Sequence, residues 1–102
     1  MPRIARGVFA GLEDLPPTDR STLLATFGAW LDNAGSTEAT AKQLYVHPNT
    51  VRYRLRRLEE RTGRTLSDPR RLAELSLAYE IELGSGANGG GEVRAGSGEG
   101  WG

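Results

Sequence analysis

Five arginines occur in the eighteen residues VHPNTVRYRLRRLEERTG, Val46 to Gly63, and four of them, Arg52, Arg54, Arg56 and Arg57, fall within six positions. A guanidinium is always charged and carries five donors in a planar fork, a shape that matches phosphate oxygens or the major-groove edge of guanine. Asn49, three residues before Arg52, has the donor and acceptor that pair bidentately with adenine. The stretch brings its acidic residues only late, at Glu59 and Glu60, so its first two turns hold like charges without local partners. Such a cluster points to a polyanion that neutralises it.

Other chemistries lack their residues. With no cysteine and a single histidine, there is no disulfide framework, no thiolate, and no ligand set for zinc or another metal. Glu59 and Glu60 are adjacent and would point about 100° apart on a helix, so they cannot face one another as an acid and base pair. No nucleophile, base and orienting group can be assembled, and neither an enzyme nor a cofactor is expected. Gly84 to Gly89 spell GxGxxG, but no strand and βαβ unit surround them, and the match is read as a coincidence of composition.

The 102 residues have a formal net charge of zero, which hides an uneven distribution. Residues 1–35 carry three basic and four acidic groups, 36–71 carry nine and four, and 72–102 carry one and five, giving −1, +5 and −4. Neither a signal-like leader nor an apolar run of about 18 residues is present, so no membrane partner is expected and the protein is read as cytoplasmic.

Helical spacing prevails throughout, and the fold class is all-α. Residues 1–17 form a linker or short helix, in which Val8, Phe9, Leu12 and Leu15 have i, i+4, i+7 spacing. A domain follows over 18–83. Its first helix begins after Pro16 and Pro17 with Thr18 or Asp19 as cap, places Leu23, Leu24, Phe27, Trp30 and Leu31 on one face, and stops at Gly35. A second, short helix is capped by Ser36 and runs to about Tyr45, with Thr37, Thr40, Ala41 and Leu44 inward. The third starts at Pro48 and ends near Thr62, before Gly63. The fourth is capped by Ser67 or Asp68, has Pro69 in its first position, and carries a wide apolar arc of Leu72, Leu75, Leu77, Tyr79 and Ile81. The glycine-rich residues 84–102 are expected to be a disordered tail.

On the third helix Val51, Leu55 and Leu58 fall within about 60° of one another and define its buried stripe. Asn49, Tyr53, Arg56 and Glu60 lie opposite, Arg52 and Arg57 flank them, and Arg54 sits near the edge of the core. Only the tight turn YVH separates the second helix from the third, which is a helix-turn-helix pattern. In that geometry Asn49, Thr50, Arg52 and Tyr53 are candidates for base edges, and Arg56, Arg57 and either Lys42 or Arg54 for phosphates. Tyr53 is open between a backbone contact and packing on a neighbouring helix. His47 is expected to cap the third helix, with a phosphate contact as its second reading.

The run GSTEATAKQLYVHPNTVRYRLRRLEERTGRTLSDPRRLAELSLA, with LLATFGAWLDNAG ahead of it, resembles the C-terminal helix-turn-helix domain of PucR-type bacterial transcriptional regulators, the purine-catabolism and sugar-diacid regulators. The resemblance spans roughly residues 20 to 80. It rests on HPNTVRYRL, the TG that follows, and the DP before the last helix, taken together. It implies a Fis-like four-helix bundle, double-stranded DNA binding through Asn49, Thr50, Arg52 and Arg54, and homodimers. It also implies sensory domains ahead of this one, so the domain is either excised or a short form, and its effector ligand is not legible here. One departure concerns Tyr45: many helix-turn-helix proteins carry glycine at that place, where φ is often positive, whereas this family usually carries an aromatic. The competing reading is a helical protein-interaction or dimerisation module that uses the apolar face of the last helix.

Overall fold

The computed structural model describes residues 7–87. A short 3-10 turn, Ala10–Leu12, leads into helices α1 (Pro17–Asp32), α2 (Thr37–Leu44), α3 (Pro48–Thr62) and α4 (Pro69–Ala87). The fold is all-α, as the spacing predicts. No helix among the described residues is long and apolar enough to cross a membrane.

Helices α1, α2 and α3 pack mutually, and the 3-10 turn lies on α3. The core they enclose holds Leu12, Phe27, Val51, Leu58, Leu75 and Ala78, all fully buried, together with Leu23, Ala41 and Leu55. Val8, Phe9 and Leu15 are buried too, so the segment before Pro16 is part of the core rather than a linker. Gly11 shows how tightly it docks: a Cβ there would collide with the backbone carbonyl of Arg61 at the end of α3.

Several helix ends follow from the sequence directly. Ser36 accepts a hydrogen bond from the Ala39 N–H at 3.1 Å and caps α2. Asp68, and not Ser67, caps α4 by accepting from the Arg70 N–H at 3.0 Å. Pro48 and Pro69 open α3 and α4, where proline's missing N–H leaves nothing unsatisfied. The start of α1 differs from expectation. Pro17 occupies the first helical position and Pro16 the cap position without any side-chain bond, which leaves Thr18 and Asp19 inside the first turn.

The wide arc of α4 is divided by packing. Leu75 and Ala78 are fully buried, Leu72, Tyr79 and Ile81 are half-buried against the core, and only Leu77 of the expected arc faces solvent. The Tyr79 ring meets Phe27 edge-on with centroids 5.8 Å apart, in the space that the absent side chain of Gly28 leaves open. Burial, with Asp32 and Glu80 acting in the same direction, pushes the Tyr79 hydroxyl pKa up, so the ring stays neutral. Helix α4 continues to Ala87, four residues beyond the boundary expected at residue 83. The remainder of the expected tail, residues 88–102, lies outside the described residues, as do residues 1–6 of the N-terminal segment.

Since Leu58 is fully buried between the turn and the helices, Leu58→Ala is expected to remove about 2–5 kcal/mol of stability through lost transfer energy and an unfilled cavity. Urea denaturation followed by circular dichroism measures it.

A candidate nucleic-acid interface on the third helix

Two devices set the position of α3. The first is the turn. Tyr45 adopts φ 58° and ψ 43°, a left-handed conformation, and the Val46 N–H reaches back to the Ala41 carbonyl at 3.0 Å, closing the end of α2. The second is the cap. His47 Nδ1 accepts from the Asn49 N–H at 3.0 Å. The capping reading of His47 therefore holds, and the two-helix pattern is a turn of three residues, Tyr45 to His47, between α2 and α3.

The far end is tied down as firmly. Gly63 closes α3 at φ 69°. Glu59 turns its carboxylate to the following loop, where Oε2 accepts from the Leu66 N–H at 2.8 Å and the Thr65 hydroxyl at 3.2 Å. Arg61 bends toward the N-terminal segment, donating to Asp14 at 2.8 Å and to the Gly11 carbonyl at 3.3 Å. Further on, hydrogen bonds from Arg71 and Arg64 hold the Glu74 carboxyl below its usual pKa. Three acids, Glu59, Asp14 and Glu74, and three basic groups, Arg61, Arg64 and Arg71, are thus taken up in holding the fold.

The remaining arginines are not so occupied. Among the described residues, none of Arg52, Arg54, Arg56 and Arg57 forms an ion pair. Asn49, Arg52, Tyr53 and Arg56 are exposed, as are His47 and Lys42, whereas Thr50, Arg54 and Arg57 are half-buried. Val51, Leu55 and Leu58 are buried as the wheel requires, so the exposed residues lie on the face turned away from the core. Arg52 Nη1 donates to Asn49 Oδ1 at 2.7 Å, which makes these two one hydrogen-bonded unit rather than independent side chains. Arg54 is turned toward α1, its Nη1 3.4 Å from the Thr26 hydroxyl. Tyr53 is 58% exposed and lines, with Arg54 and Arg57, an open cleft whose other wall is Asp19, Thr22 and Leu23 of α1. The ring thus lies partly against α1 and partly in solvent.

Two contributors were not visible in the amino-acid order. Thr26 lies on the apolar face of α1 and is fully buried, and nothing in its spacing announced a polar contact with α3. Tyr45, read only as a turn residue, is 94% exposed. Its signal was the absence of glycine where the chain needs a positive φ.

The geometry agrees with what is found in known proteins. The profile of the PucR C-terminal helix-turn-helix domain matches residues 23–81. The chain belongs to this family. The family is one of transcriptional regulators, so DNA-binding transcription regulation, and not an enzyme class, is the kind of function it represents. An uncharacterized protein of Mycobacterium tuberculosis is 51% identical over 60 residues, covering 59% of this chain and 14% of that protein. The purine catabolism regulatory protein of Bacillus subtilis is 43% identical over 61 residues, 60% of this chain and 12% of its own length. The carbohydrate diacid regulator of Escherichia coli is 38% identical over 74 residues, 70% and 19%. Among solved structures, a regulator of polyketide synthase expression from Bifidobacterium adolescentis superposes with a TM-score of 0.65 at 42% identity, covering 78% of this chain and 32% of that one. The chain thus spans a seventh or less of the first two proteins and about a third of the solved one.

Positive φ costs a residue with a Cβ about 1–2 kcal/mol, and the exposed Tyr45 ring recovers little of that by packing. Tyr45→Gly is expected to raise the stability of the domain by up to about 1 kcal/mol, after allowing for glycine's greater unfolded-state entropy. Thermal unfolding compared with the native chain checks this.

Proposed function

We propose that this domain binds double-stranded DNA in a sequence-specific manner, with α3 in the major groove and α2 crossing the backbone. The observation that carries the reading is the set of four arginines on α3, none of them in an ion pair among the described residues, on a helix that a tight turn from α2 presents outward. A helix-turn-helix places the first turns of its second helix against base edges. Asn49, Thr50, Arg52 and Tyr53 occupy those turns and read the groove. Arg56, Arg57, Lys42 and Arg54 engage phosphates, and His47, held as the cap, stands beside them at the helix start. The relatives support the same division of labour. They are named for purine catabolism, carbohydrate diacids and a response to proline, and they match this chain over 61, 74 and 55 residues.

A homodimer belongs to the proposal. Two copies would set half-sites about one helical turn, roughly 34 Å, apart. Leu77, 51% exposed on the outer side of α4, offers an apolar contact for pairing. Ile81 is half-buried against the core, so Leu77 is the position at which association can be tested without disturbing the fold.

Fluorescence anisotropy with a labelled mixed-sequence duplex, a single-stranded control and two salt concentrations tests binding. The expected result is a steep loss of duplex affinity with salt. Asn49→Ala and Arg52→Ala should each cut discrimination between sequences by about 1–3 kcal/mol, and their joint effect should fall short of the sum because the two side chains form one unit. Arg57→Ala should weaken all duplexes alike and lower the salt slope by about 1. Unchanged sequence preference in the first two would remove Asn49 and Arg52 from the groove. In sedimentation, Leu77→Glu is expected to shift a dimer to monomer while leaving the helical spectrum intact.

A further inference from the structure

Buried polar side chains in a small core call for an explanation, since a hydroxyl removed from water is costly unless bonded. Thr26 is one of the largest fully buried side chains, sits beside Phe27 in the middle of α1, and belongs to no cap or turn. Its hydroxyl donates to the Thr22 carbonyl one turn back at 2.8 Å, which satisfies its single proton. The oxygen's lone pairs remain, and Arg54 Nη1 lies 3.4 Å from them, across from α1 to α3. A valine would fill the same space without introducing a polar group, so packing alone gives no reason for threonine here.

Among the described residues, Arg54 is the one arginine of the cluster with a side-chain hydrogen bond to another helix. It emerges at the cleft between α1 and α3, whose lining also includes Thr22, Tyr53, Arg57 and, on the rim, the exposed Asp19. An arginine side chain free to rotate loses much rotamer entropy on gripping a ligand, and a contact that fixes part of it beforehand reduces that loss. We infer that Thr26 is a positioning residue for Arg54, its buried hydroxyl orienting the guanidinium so that the remaining N–H groups grip a DNA phosphate at the mouth of the α1–α3 cleft beside Arg57. The inference rests on the DNA-binding reading above. It extends the interface from the helix-turn-helix pair to α1, which contributes through Thr26 without touching DNA.

Two measurements test it, one of them without DNA. In the unliganded protein, nitrogen-detected NMR of the Arg54 side chain should show hindered guanidinium rotation in the native chain and in Thr26→Ser, and fast rotation in Thr26→Val. In anisotropy titrations with the mixed-sequence duplex, Thr26→Val should weaken binding about threefold to tenfold, the range of one ordinary hydrogen bond. Thr26→Ser should restore it, and Thr26→Val should cost nothing further in an Arg54→Ala background. A purely structural threonine would produce the same loss in both backgrounds and would leave the Arg54 rotation unchanged, and either result overturns the inference. Native-like affinity of Thr26→Val overturns it as well. Should the native chain bind no duplex, the DNA reading itself fails, while the NMR result still decides separately whether Thr26 orients Arg54. Thermal melts of each variant identify any loss due to unfolding, and Thr26→Ser keeps the test open if the valine variant is unstable.

Discussion

A narrow apolar seam on α3 is the constraint on which everything else depends. Val51, Leu55 and Leu58 are the large hydrophobic side chains that this helix buries, and they anchor a helix that carries five arginines. Burying each contributes on the order of 1.5–3 kcal/mol, enough to hold the helix only because α1, α2, α4 and the N-terminal segment all supply the opposing surface. A wider seam would have used up positions that now face outward, and a narrower one would have left the arginine repulsion unopposed.

The fold surrounds that seam with polar fixings at both ends of α3. At its start, a strained tyrosine and a histidine cap set the angle at which the helix leaves the turn. At its end, Glu59 holds the loop to α4 while Arg61 holds the N-terminal segment. Charged residues that a linear reading assigns to solvent are therefore structural, and this separates them from the arginines that have no ion-pair partner among the described residues. Surface ion pairs are weak in stability terms, about 0–1 kcal/mol, so their value here lies in fixing direction.

Much of this was legible from residue order. The starts of α2, α3 and α4, the stripe on α3, the three-residue turn and the cap at His47 are all local, depending on proline, serine, aspartate and glycine at fixed offsets. The outward face of α3 was legible for the same reason, since it follows once the buried stripe is known. Thr18 and Asp19 were misassigned because two successive prolines allow the helix to begin two or three residues early, and both positions suit a cap by type. How the α4 arc divides, and whether the N-terminal segment packs, were not legible for another reason: whether an apolar residue is covered depends on a neighbour distant in the chain.

The sequence by itself determined an all-α chain, the starts of its second to fourth helices, and a basic face on the third helix, because periodicity, capping and charge are properties of neighbouring residues. Only the tertiary structure decided which arginines are taken up in holding the fold, that Arg54 turns to Thr26 on α1, and that residues 8–15 complete the core. Those outcomes rest on contacts between residues 28, 47 and 50 positions apart, which no local pattern encodes.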